Sequence, residues 1–221
     1  MLDAIEIDSA QHPAQATIIC LHGLGTSGHD LVSLAAELKL PGHLGIRFIF
    51  PHAPMRPVSL SSGLTMPAWY DINGLQLQSI EDEKGIKLAA KQVGELIERE
   101  QTRGIESKNI ILAGFSQGGA LSLFTGLRYP KPLGGIIALS CYLPLANKLN
   151  EEVNPINQQI PIFMAHGVAD PVVPLIWAQY SKRILTQIDN EVSWHEYPMM
   201  HQLCEPEIRD MSHWITKRLL A

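Results

Sequence analysis

Six short runs rich in apolar and β-branched residues limit the fold of this chain more than any other feature. They are Ala16 to Leu21, Ile46 to Phe50, Asn109 to Phe115, Gly135 to Ser140, Ile160 to Ala165 and Val192 to Tyr197. Most are continuously apolar rather than alternating, which is the pattern of strands buried on both faces of a parallel sheet. Segments with helical periodicity lie between them. Ile86, Ala89, Ala90, Val93 and Ile97 form one face of a helix that Gly104 ends. Pro174 opens another, with Ile176, Tyr180, Ile184 and Ile188 at four-residue spacing. The last begins at Glu205, Pro206 and Glu207 and ends at Lys217 and Arg218, a charge order that suits the helix dipole. Ile208, Met211, Ile215 and Leu219 run along one of its sides. The alternation predicts an α/β fold: a doubly wound, mostly parallel sheet flanked by helices, in a single domain spanning residues 1–221.

One stretch breaks the rhythm. Pro51 to Ser79 reads as a long loop, yet it carries Leu60, Leu64, Met66, Trp69 and Tyr70, with Leu75 and Leu77 further on. Long connections in compact domains are usually functional or mobile, and an apolar one is expected to border a site. Leu64, Met66 and Trp69 are the candidate substrate-binding residues within it. The alternative is that these side chains cap the sheet edge as a satellite core.

The chemistry is carried by Gly114-Phe115-Ser116-Gln117-Gly118-Gly119. It follows the apolar run Ile110 to Ala113 and precedes a helix-like segment, Ala120 to Arg128. Strand, tight turn and helix with a serine at the turn is the context of a nucleophile elbow, and the glycines let strand and helix approach closely. A serine hydroxyl needs a base, and the base needs an acid to orient it. On the elbow topology these follow the serine in the order acid, then histidine, on loops after later strands. His201 lies on a short loop after the last strand and is the candidate base. His195 falls inside that strand, His213 on the solvent side of the terminal helix, and His166 at a strand end next to Gly167. Asp170 follows the Ile160 to Ala165 strand at its carboxyl end, where doubly wound sheets place their sites; it also precedes Pro171 and so initiates a turn. Asp71 precedes the elbow and Asp189 follows a helix, which makes both weaker candidates. His22-Gly23-Leu24-Gly25 follows the first buried strand, and the backbone N–H groups of Leu24 and Gln117 are the expected oxyanion donors. No phosphate-loop or dinucleotide glycine pattern competes for the site.

Composition narrows the partners. A net charge of -5 argues against nucleic acid. No apolar run reaches the roughly 20 residues that cross a bilayer, and no secretory signal opens the chain. Cys20, Cys141 and Cys204 are widely spaced and without metal-ligand pattern, which suggests reduced, non-catalytic thiols in a cytoplasm. No metal or organic cofactor is implied.

With these residues in view, the chain resembles the acyl-protein thioesterase and carboxylesterase family of α/β-hydrolases, also described as the phospholipase/carboxylesterase family. The likeness runs from about Ala16 to Trp214. Its landmarks are Leu21 to Gly25, Pro51-His52-Ala53-Pro54, Trp69-Tyr70-Asp71-Ile72, Gly114 to Ala120, Leu139 to Pro144, His166-Gly167 with Asp170, and His201. The resemblance implies Ser116, Asp170 and His201 as a catalytic triad, and Leu24 and Gln117 as the oxyanion hole. It also implies an acyl groove bordered by the Pro51 to Ser79 segment. Two positions depart from the family pattern: Met200 precedes the histidine where glycine is common, and Ser62 stands where asparagine is more usual. The expected activity is hydrolysis of small esters or acyl thioesters, with an acylated protein as a further substrate and a homodimer as one oligomeric state. A lysophospholipase, a peptidase on the same fold, and a non-catalytic binding module are the alternatives.

Overall fold

The computed structural model describes residues 2–8, 13–74 and 81–220. Its strands are β1 (Ala4–Asp8), β2 (Ala16–Leu21), β3 (Ile46–Pro51), β4 (Met55–Val58), β5 (Leu64–Pro67), β6 (Ile110–Phe115), β7 (Gly135–Leu139), β8 (Ile162–Gly167) and β9 (Val192–Tyr197). Its helices are α1 (Leu34–Glu37), α2 (Glu83–Thr102), α3 (Gln117–Arg128), α4 (Leu149–Glu152), α5 (Leu175–Gln187) and α6 (Glu205–Leu219). The main sheet runs β1-β3-β2-β6-β7-β8-β9. Every pairing in it is parallel except that of β1 with β3.

The continuous apolar runs are explained by what covers each face. Ile19, Leu21, Leu112 and Ile136 pack with Ile86, Val93 and Ile97 of α2 and Leu121 of α3. Ile18, Cys20, Ile111 and Ile137 face the other way, onto Leu34 of α1 and Met211 and Ile215 of α6. Alternate residues of one strand thus enter two cores, and neither face is left to water.

The structure departs from the sequence expectations in several elements. β1 reads weakly because it is a half-buried, antiparallel edge strand, so it lacks a continuous apolar run. The predicted Pro51 to Ser79 loop contains the β4–β5 hairpin, whose register opposes Met55 to Pro67 and Val58 to Leu64. Pro57 and Pro67 within four-residue strands hide it, since proline counts against a strand. β8 starts and ends two residues later than expected, because His166 and Gly167 still pair with Glu196 and Tyr197 of β9. The buried face of α5 is Ala178, Ser181 and Leu185, whereas Ile176 and Tyr180 of the expected face are exposed. Four-residue spacing identified a stripe but not which stripe meets the sheet. Leu75 and Leu77, expected in the same groove, lie outside the described residues. Among the described residues, no helix is long and apolar enough to cross a membrane.

Candidate active site

β6 ends at Phe115 and α3 begins at Gln117, so Ser116 alone makes the turn, with φ 54° and ψ −122°. Its N–H donates to Leu139 O at 2.8 Å and its carbonyl accepts from Ala120 N at 3.0 Å. The glycines are needed for closeness. A Cβ on Gly114 would collide with the backbone of Gly118, and one on Gly118 with the carbonyls of Leu21 and His22. The helix therefore starts three residues earlier than its apolar face suggests, with its N-terminus seated on β2.

Asp170 follows β8, and His201 lies between β9 and α6. Asp170 is 9% exposed, and its Oδ1 accepts the N–H groups of Val172 (2.8 Å) and Val173 (2.9 Å). That leaves Oδ2 facing His201 Nδ1 at 2.7 Å. A carboxylate only accepts, so Nδ1 carries the proton and the Nε2 lone pair faces Ser116 Oγ, 3.0 Å away. The imidazole packs on Phe115 with ring centroids 4.7 Å apart. Three residues separated by 54 and 31 positions are thus brought into one hydrogen-bonded line.

The other histidines serve elsewhere. His166 is completely buried behind Asp170, with Nε2 donating to Val173 O at 2.8 Å and 3.4 Å from Asp170 Oδ2. Burial holds its imidazole below the ordinary histidine range, so it is a neutral donor. His195 lies 3.0 Å from Ser193 Oγ and 3.9 Å from Asp210 Oδ2. That row superficially repeats the Ser-His-Asp order, but Ser193 sits in regular strand rather than at a strand-to-helix turn. His213 is exposed on α6. Asp71 clamps the hairpin tip, accepting from Ser59 N at 2.7 Å and Ser59 Oγ at 2.6 Å. Burial works against its ionisation, but the Ser59 bonds prevail and hold its carboxyl below the usual range. Asp189 occupies a left-handed turn after α5, with φ 65°.

A cavity of about 380 Å³ opens beside Ser116 and His201, and both Leu24 and Gln117 border it. Gln117 is the first helical residue, so its N–H has no acceptor within α3. The apolar walls are Leu60, Ile72, Val172, Val173, Tyr142 and Trp177, with Tyr70 deeper in. This corrects the expected groove. Leu64 is 66% exposed on β5, and Trp69 is fully buried with its indole N–H donating to His22 O at 2.8 Å. Met66 packs toward Gly25 instead. The cavity takes Leu60 from the hairpin tip and Tyr70 and Ile72 from the segment after β5 instead. Trp177 has no signal in the sequence reading, and Tyr142 lies in the Leu139 to Pro144 landmark without being assigned to the site, although it follows the carboxyl end of β7, the place where such folds gather site residues. Of the two departures, Met200 is 56% exposed and does not border the cavity. Ser62 takes a left-handed conformation, φ 54° and ψ 33°, which asparagine tolerates better than most residues and which explains the usual preference there.

Comparison with known proteins agrees with this architecture. The family model described as phospholipase/carboxylesterase matches residues 2–219. The chain is 38% identical to acyl-protein thioesterase 1 of Yarrowia lipolytica over 209 residues, covering 92% of each protein. It is 39% identical to the acyl-protein thioesterase 1 of Mycosarcoma maydis over 221 residues, covering 93% of this chain and 92% of that one. Among solved structures, Arabidopsis thaliana SOBER1 superposes with a TM-score of 0.89 at 30% identity, covering 93% of this chain and all of that one. Zea mays acyl-protein thioesterase 2 gives 0.87 at 29%, covering 99% and 100%. With an elbow serine, a sheet of this order and a match over nearly its whole length, the chain belongs to the phospholipase/carboxylesterase family.

Proposed function

We propose that this protein is a serine hydrolase that cleaves carboxylic esters and acyl thioesters through Ser116, His201 and Asp170. The observation that carries the reading is the line from Asp170 Oδ2 to His201 Nδ1 (2.7 Å) and from His201 Nε2 to Ser116 Oγ (3.0 Å), ending on a strained serine. In the first half-reaction His201 Nε2 takes the Ser116 proton as Oγ bonds to the acyl carbon. The carbonyl oxygen becomes an oxyanion facing the N–H groups of Gln117 and Leu24. Each such donor is typically worth about 2.7–4 kcal/mol. The tetrahedral intermediate collapses as the C–O or C–S bond breaks, and the leaving alcohol or thiol takes the proton back from Nε2. Water then repeats the sequence and releases the acid. Asp170 keeps Nδ1 protonated and stabilises the imidazolium, staying ionised throughout.

The acyl chain is assigned to the cavity walled by Leu60, Ile72 and Trp177. Acylated proteins are included among the substrates because the fungal relatives are named acyl-protein thioesterases. The free thiols of Cys20, Cys141 and Cys204 fit a reducing, cytoplasmic setting. Fluorophosphonate labelling together with ester, thioester and amide turnover tests the reading. Wild type is expected to be labelled once and to hydrolyse esters and thioesters faster than amides, and Ser116→Ala to abolish both labelling and turnover while remaining folded. A Ser116→Ala protein that still labels at another serine would sink the assignment.

A further inference from the structure

The side chain of Gln117 is 4% exposed, and both of its polar atoms are bonded to the backbone of one distant segment. Trp69 N–H donates to its Oε1 at 2.9 Å, and its Nε2 donates to Tyr70 O at 2.8 Å. That segment borders two other parts of the site. Tyr70 and Ile72 line the cavity, while Pro67 O accepts the N–H of Gly25 at 2.9 Å. The Trp69 indole N–H returns to His22 O at 2.8 Å. His22, itself fully buried, accepts Ala53 N–H on Nε2 at 3.0 Å and donates Nδ1–H to Gly23 O at 2.7 Å. Burial lowers its proton affinity, which keeps Nε2 free to accept. One carboxamide therefore ties the serine turn to the cavity wall and, through that wall, to the His22–Gly25 loop.

We infer that the Gln117 side chain is a positioning residue, holding the acyl wall and the Leu24 loop in register with Ser116 before substrate arrives. This role is separate from the backbone N–H that Gln117 contributes to the oxyanion, and it rests on the hydrolase reading above. The chemistry of the clamp is specific. A carboxamide presents an acceptor and a donor side by side, matching the N–H of residue 69 and the C=O of residue 70. An ionised glutamate would set two acceptors there, one of them against the Tyr70 carbonyl. A protonated glutamate restores the donor. Methionine has the length and neither group.

The test compares Gln117→Met and Gln117→Glu with wild type in ester hydrolysis from pH 5 to 8. It adds inhibition by a trifluoromethyl ketone, which forms an oxyanion, and by the carboxylic acid product. Gln117→Met is expected to lower kcat at least about tenfold, since misplacing one oxyanion donor costs up to ~10²–10³. It should also weaken the ketone more than the acid. Burial raises a carboxyl pKa, so the Gln117→Glu variant should approach wild type at pH 5. At pH 8 it should fall to the level of Gln117→Met, each compared with wild type at the same pH. A role in stability alone would lower melting temperature without that pH-dependent recovery. If Gln117→Met keeps kcat and ketone inhibition within about twofold of wild type, or Gln117→Glu shows the same ratio at every pH, the inference is wrong. Should Gln117→Met not fold, the pH ratio of Gln117→Glu decides. A wild type that neither labels nor hydrolyses would overturn the hydrolase reading and this inference together, whereas an active wild type with an unaffected Gln117→Met overturns this inference alone.

Discussion

Ser116 holds its φ of 54° because its surroundings leave no alternative. Its N–H is fixed to Leu139 O, its carbonyl to Ala120 N, and the glycines around it remove the Cβ atoms that would push α3 off β2. Strain of this kind costs about 1–3 kcal/mol and persists only where the fold over-determines it. The histidine assignment can be tested at the same scale. His201→Ala is expected to lose at least ~10³-fold in kcat, comparable with Ser116→Ala, because triad members act as a unit. His195→Ala and His213→Ala should retain most activity, since one is held in the Ser193 and Asp210 row and the other faces solvent. Steady-state kinetics on the three variants decides it, and an inactive His195→Ala would refute the assignment. The buried thiols are poor rivals to the serine. Burial pushes Cys20 up to about 12 and Cys141 higher still, so neither supplies a thiolate near neutral pH.

Among the elements, the β4–β5 hairpin and the segment after it border the cavity beside Ser116. The hairpin exposes Leu64 while its tip and the following residues present Leu60, Tyr70 and Ile72 to the cavity. Each acyl methylene buried against such a wall contributes up to about 0.8 kcal/mol, roughly fourfold in kcat/KM. Leu60→Ala and Ile72→Ala are therefore expected to reduce kcat/KM for octanoate esters about three- to tenfold more than for acetate esters. Leu64→Ala should leave the chain-length profile unchanged. A chain-length series of nitrophenyl esters measures both, and an equal loss at every length would return these residues to a purely structural role.

For the whole molecule, two buried carboxylates show how charge is handled in the fold. Glu100 of α2 has no exposed surface, yet it receives Arg47 of β3 at 3.2 Å, Arg103 at 3.0 Å and the Thr17 hydroxyl of β2 at 3.3 Å. The cluster joins helix to sheet with its charges paired, the condition under which buried ions are tolerated. Glu207 in the first turn of α6 is also fully buried, and burial pushes its carboxyl up to about 8. The folded state therefore keeps a proton that the unfolded chain releases near the ordinary glutamate value, about 4.3. Its contribution to stability is complete below that value, is lost as pH rises through about 8, and then levels off. Glu207→Gln removes the ionisation, so its melting temperature relative to wild type should rise between pH 5 and pH 8. A gain of several degrees is expected, at about 2–4 °C per kcal/mol for a chain of this size. Melting curves at both pH values check it, and a difference that does not change with pH would contradict it.

The sequence alone determined the elements whose signals are local. Continuous apolar runs specify β2, β3, β6, β7 and β8 because strands covered on both faces have no polar side to show. The serine turn was legible because glycine spacing encodes a close approach of strand and helix. Ser116, Asp170 and His201 were legible as candidates because chain order and strand ends limit where such partners can stand. Tertiary structure decided what depends on direction. Whether Leu64 or Leu60 faces the cavity follows from the twist of a hairpin whose prolines obscure it. Which stripe of α5 is buried depends on the sheet it meets, since an isolated helix shows both. The Gln117 clamp joins atoms 47 and 48 residues apart, and no local pattern announces a carboxamide that finds its partners only when the chain has folded.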